Sequence, residues 1–226
     1  MDEAVKAANF EALEAAVRDG GDVNGRYKRT GNPYLLVLFD TVNHPDRAWG
    51  SWECIQNRVK MVQFLISHGA DTNATGSHFE TPLYWACRWQ NYDVVKQLID
   101  HGAKANLVET GYGLRNGYNP LMMAAQKRKP GIVQLLIDHG AYVNAQDRWG
   151  DTPLHWACRY ARHKNARVLA EHGADLTLKN TIDCTPLDLA LNSTDSNEEI
   201  LALFQELAPE LYFSTFCTTN ISPGGM

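Results

Sequence analysis

Eight histidines and five cysteines are the residues of this 226-residue chain best suited to chemistry. A bound metal would need several of them at short, regular spacing, as in Cys-x-x-Cys or His-Glu-x-x-His. Neither pattern occurs, so no metal and no cofactor are expected. The cysteines (Cys54, Cys87, Cys158, Cys184 and Cys217) are odd in number, which points to free thiols in a reducing compartment. Cys158 and His163 lie five positions apart, but Cys158 falls at a packing position, which argues against a Cys–His nucleophile. A phosphate-binding loop, a dinucleotide fingerprint and a nucleophile elbow are all missing. Four histidines share one tripeptide, His-Gly-Ala, at His68, His101, His139 and His172. A group written four times with the same neighbours reads as a structural device.

The elements that position these groups repeat as well. The His-Gly-Ala copies are spaced 33, 38 and 33 residues apart. Thr-Pro-Leu or its variant begins at Thr81, Asn119, Thr152 and Thr185, spaced 38, 33 and 33. The two series agree, including one five-residue insertion. Thr before Pro marks a helix start, because its hydroxyl can accept from an orphan N–H and Pro fits the first turn. Leu83, Ala86 and Cys87 then fall on one stripe and recur as Leu154, Ala157 and Cys158. A second apolar helix follows each time, ending at a Gly that needs positive φ.

A unit of 33 residues with T-P-L-H-x-A, two helices and G-A-D-x-N resembles the ankyrin repeat, most clearly over residues 147–177. The resemblance implies a mainly α fold, an ankyrin-repeat α-solenoid of helix–turn–helix units with β-hairpin fingers and about six repeats, atypical caps included. The expected single domain covers residues 1–210. Its units are a cap at 1–24, then 25–73 with an inter-helix insertion at 41–57, 74–106, 107–144 with a long finger at 108–118, 145–177 and 178–210. A tail, 211–226, leaves the pattern. In an ankyrin stack the first helices and fingers line a concave face and the second helices form the back.

Carried over by register, the groove-facing stripe comprises Trp85, Arg88 and Trp89; Met123, Gln126 and Lys127; and Trp156, Arg159 and Tyr160. Small packing residues recur because the stack needs them; Trp and Arg recur where it does not. Trp, Tyr, Arg and Met are enriched at binding hot spots. Arg148 and Trp149 on a finger, Trp49 and Trp52 in the insertion, and Tyr112 and Arg115 on the long finger extend the candidate contact set. The opposing reading keeps Trp85 and Trp156 for the packing of the stack and pairs the arginines with finger carboxylates such as Asp151 and Glu80.

The chain carries a formal charge of −5, which disfavours general nucleic-acid or acidic-membrane binding. Its N-terminal stretch is acidic where a secretory signal is basic, and no apolar run reaches membrane-spanning length. The expectation is a cytoplasmic protein, in its own cell or in a host, monomeric when free. It is expected to be a non-enzymatic module that binds one protein of acidic or mixed surface as an adaptor, inhibitor or effector-type blocker. Two other functions remain open: an enzyme with its site in 41–57 or the tail, and a nucleic-acid binder using the Arg/Trp ladder.

Overall fold

The structure is a computed structural model that describes residues 1–7, 9–39, 52–76, 79–107, 117–192 and 198–213, the side chains of 52–55 excepted. The chain forms two compact units, Met1–Asn116 and Gly117–Met226.

Helices come in pairs. The first unit holds α1 (Asp2–Lys6), α2 (Phe10–Arg18), α3 (Tyr34–Phe39), α4 (Trp52–Ser67), α5 (Pro82–Trp89) and α6 (Tyr92–Asp100). The second holds α7 (Pro120–Ala125), α8 (Pro130–Asp138), α9 (Pro153–Arg159), α10 (His163–Glu171), α11 (Pro186–Leu191) and α12 (Glu198–Leu207). Partners in a pair pack together. First helices pack on first helices (α1 on α3, α3 on α5; α7 on α9, α9 on α11), and second on second (α2 on α4, α4 on α6; α8 on α10, α10 on α12). Within each unit the described pairs stack in sequence order, as in a repeat array. Each unit buries the same small set on a first helix: Leu83, Ala86 and Cys87 in the first, Leu154, Ala157 and Cys158 in the second. Alanine and cysteine at these positions let the helix axes approach closely.

The expected helix starts are present. Thr81, Asn119, Thr152 and Thr185 each accept a backbone N–H from the residue three positions on, with Pro opening the helix. Each recurrent His folds back onto the carbonyl four residues earlier. His68 Nδ1 reaches Phe64 O at 2.8 Å, His101 reaches Gln97 O at 2.8 Å, His139 reaches Leu135 O at 2.9 Å and His172 reaches Val168 O at 2.7 Å. These carbonyls lie in the last helical turn, and at Phe64 O and Gln97 O the ring adds to the backbone N–H of the same His. The following glycine has φ near +80° in all four copies, with open space where a Cβ would stand, so backbone conformation alone selects it.

An asparagine ladder ties neighbouring units. Asn24 Nδ2 donates to Gly69 O while its Oδ1 accepts from Asp71 N. Asn73 does the same with Gly102 and Lys104, and Asn144 with Gly173 and Asp175.

Two sequence expectations change. The described finger residues form closed turns; an isolated bridge joins Arg26 and Pro33, and no named strand occurs among them. Asp147 N donates to Asp151 O and Asn180 N to Cys184 O. Around the Arg26–Pro33 bridge, Tyr27 N donates to Asn32 O and Tyr34 N to Gly25 O. The expected inter-helix insertion is also shorter than 41–57, because residues 52–57 already belong to α4. That segment contains neither Gly nor Pro, so nothing interrupts the helix. Most of the long finger, 108–116, lies outside the described residues.

Candidate partner-binding surface

The nine stripe residues separate into three environments. On α9, Trp156, Arg159 and Tyr160 form one aromatic–cation assembly. The Arg159 guanidinium lies 4.9 Å from the Trp156 ring centre. Tyr160 stacks on Trp156 at 6.0 Å with 13° between planes, and buried Tyr118 meets it edge-on at 4.8 Å. The finger fixes both polar ends. Trp156 Nε1 donates to Asp147 Oδ2 at 3.1 Å, and Arg159 Nη2 contacts Asp151 Oδ2 at 2.6 Å. Asp151 is itself buried and also accepts from Asn180 Nδ2. Burial raises the Asp147 carboxyl above its usual range, although three N–H groups point at it.

On α5, Arg88 sits 5.1 Å from the Trp85 ring centre and Tyr84 meets Trp85 edge-on at 5.8 Å. Trp89 packs against Phe39 of α3 at 4.6 Å and so serves the stack as well as the surface. Trp85, Arg88, Trp89, Trp156 and Arg159 are all half-buried, and Tyr160 is 38% exposed. The repeated Trp and Arg therefore combine the two readings of the sequence: the finger or the neighbouring ring holds one side of each group and solvent reaches the other.

The α7 trio differs. Met123 is 2% exposed and is withdrawn from the contact set. Gln126 lies against it, Nε2 at 3.3 Å from Met123 Sδ and 2.5 Å from the Tyr118 hydroxyl. Lys127 lines a pocket together with Arg128, Arg162 and Lys164. On the finger, exposed Arg148 covers the half-buried Trp149 ring at 5.2 Å. The side chains of Trp49, Trp52, Tyr112 and Arg115 lie outside the described residues.

Among the described residues, His155, Cys87 and Cys158 are packed into the fold. His155 is fully buried: its Nδ1 lies against the Thr152 N and Oγ1, and its Nε2 contacts Cys184 O at 3.1 Å. Burial lowers the pKa of its imidazole and raises those of the Cys87 and Cys158 thiols. Those two cysteines and Cys184 are free. Among the described residues, no group of three or more His, Cys, Asp or Glu could hold a metal ion, and no helix is long and apolar enough to cross a membrane.

One residue that matters was missed from the sequence. Asn165, 1% exposed, donates from Nδ2 to Ala124 O, Ala125 O and Lys127 O at 2.7–3.2 Å. Arg162 Nε donates to Gln126 O beside them. The six-residue α7 thus has its last carbonyls met by the next pair. The signal was present: the third position of α6 and α8 is Val94 or Ile132, and only α10 puts an amide in that apolar register.

Comparison with known proteins agrees with the stacked pairs. The family model for ankyrin repeats matches three times, over residues 51–109, 104–180 and 121–207. The putative palmitoyltransferase ZDHHC13 of Danio rerio is 32% identical over 221 residues, covering 82% of this chain and 32% of the relative. Palmitoyltransferase ZDHHC13 of Mus musculus is 31% identical over 189 residues, covering 67% and 30%. Ankyrin repeat and SOCS box protein 11 of Danio rerio is 33% identical over 128 residues, covering 57% and 30%. The chain spans about a third of the length of these relatives. On the repeat pattern, the packing and the family match together, the chain belongs to the ankyrin-repeat family.

Proposed function

We infer that this chain is a non-enzymatic interaction module that holds one protein partner on the aromatic–arginine face of α9 and its Arg148–Trp149 finger, the α5 face being a separate candidate surface of the first unit. The observation that carries this reading is the Trp156–Arg159–Tyr160 assembly. Its rings and guanidinium are held by Asp147, Asp151 and Tyr118 and still reach solvent. Side chains fixed in advance lose little freedom on binding, and Trp, Tyr and Arg are the usual anchors of an interface. Because Asp151 already offsets much of the Arg159 charge, the partner is selected at the α9 face chiefly by aromatic contact. The partner surface is thus of mixed character, and the module works in the cytoplasm as an adaptor or blocker, monomeric until it binds. The palmitoyltransferase relatives contribute the repeat region to this reading and no reaction.

The test uses a photo-crosslinking amino acid at Tyr160, on the stripe, and at Tyr92, which is 42% exposed on second helix α6. A discrete crosslinked partner from position 160, absent from 92 and reduced by Trp156→Ala, is the expected outcome. Equal capture from both positions, or capture from 92 alone, would sink the assignment.

A further inference from the structure

The second unit carries a basic pocket apart from the aromatic stripe. It opens between the turn after α7, the turn after α9 and the start of α12, with a volume of about 530 Å³. Among the described residues, Lys127, Arg128, Arg162 and Lys164 supply four permanent cations to its wall, with His163 and the carboxylate of Glu199 beside them. Glu199 Oε2 lies 2.5 Å from His163 Nδ1, so that acid is engaged at the rim. The whole chain is acidic, at −5, so the cations are concentrated here against the average.

Their placement is also costly to the fold. Arg128 and Lys129 precede α8; Arg162, His163 and Lys164 open α10. These are the positive ends of helix dipoles, where cations are disfavoured and acids or Asn/Ser/Thr caps are preferred. In the first unit, Asn9 and Asn91 cap α2 and α6 by accepting a backbone N–H, whereas α8 and α10 have no side-chain cap bond. Residues that break local preference together, around one concavity, mark a functional demand. The concavity is of ligand size.

We propose that this pocket binds a small molecule bearing two or more phosphate groups, with Lys127, Arg128 and Lys164 contacting the phosphates and Arg162 shaping the wall. A single phosphate would leave most of the volume and half of the cations unused. Guanidinium and ammonium groups together suit phosphate oxygens by charge-assisted hydrogen bonds.

The experiment titrates inorganic pyrophosphate and tripolyphosphate into the full chain by calorimetry at constant ionic strength, with sulfate as comparison. One saturable site is expected, tighter for tripolyphosphate than for sulfate. Arg128→Ala with Lys164→Ala removes two exposed side chains. It should weaken binding by about tenfold or more while leaving the melting temperature unchanged. Lys60→Ala with Lys104→Ala, two exposed lysines of the first unit, should leave binding unchanged. Vesicles containing phosphatidylinositol bisphosphate, compared with phosphatidylserine vesicles of equal charge, separate the sources. Recruitment to the former, reversed by pyrophosphate, identifies a lipid headgroup; pyrophosphate binding without recruitment identifies a free ligand. No saturable site, equal loss in the Lys60/Lys104 control, or affinity that rises with the length of an RNA oligonucleotide would overturn the proposal.

Discussion

His155 is the residue whose protonation bears most directly on the second unit. Burial holds its imidazole below the ordinary value of 6.5, while Thr152 and Cys184 occupy its two nitrogens. The unfolded chain therefore gains a proton at a pH where the folded chain does not. The stability this group contributes is present above pH 6.5 and is lost as pH falls below it. Urea midpoints measured from pH 7.5 to 5.5 should decline, by up to about 1.4 kcal/mol per pH unit from this group. His155→Gln should be less stable throughout yet show a flatter decline; an unchanged slope would remove His155 as the cause. Asp147 acts with the opposite sign: burial raises its carboxyl, so the stability it contributes is present below pH 3.8 and is lost as pH rises through its folded value. At this scale much was legible. The four His-Gly-Ala histidines and the Thr caps announced their roles by recurrence, because a repeated backbone need selects a repeated side chain. Met123 did not, since its register matched Trp85 and Trp156 and only the position of Gln126 shows that it is covered.

Helix lengths follow from local chemistry, with one exception settled by a neighbour. The nine-residue α6 begins at an Asn cap and ends at a Gly with positive φ, so both boundaries could be read from sequence. The sixteen-residue α4 could not, because nothing marks its start between Trp52 and Asn57. In α7 the decisive group lies 40 residues away, at Asn165. Asn165→Val, which restores the residue type found in α6, should lower stability by about 1–3 kcal/mol in chemical denaturation, since Ala125 O and Lys127 O lose the amide donor while Ala124 O keeps the Lys127 N–H. If valine is neutral or stabilising, apolar packing outweighs the capping. Fingers were the least legible element: turn residues foretell a reversal of the chain, but not whether strands pair beside it.

Across each unit, stability should grade with the number of flanking neighbours. In the second unit α9 and α10 have a helix pair on both sides, whereas the partners of α12 lie on one. Nearest-neighbour coupling then predicts that native-state hydrogen exchange is slowest in α9 and α10 and fastest toward α12. Uniform protection across the unit would contradict that gradient. The stack itself was evident from arithmetic on the sequence, because every copy must present the same small residues to its neighbours. The basic pocket was not. Its walls come from three segments, the residues 127–128, 161–165 and 199, and a short cationic stretch read alone is indistinguishable from solvated surface. Asn165 also bears on how such a chain can be rearranged. Because its amide closes the preceding helix, the repeats are interchangeable as text but not as chemistry. A duplication or deletion whose junction falls between α7 and α10 would leave raw carbonyl ends exposed, so viable recombinants should inherit these two pairs as a single cassette.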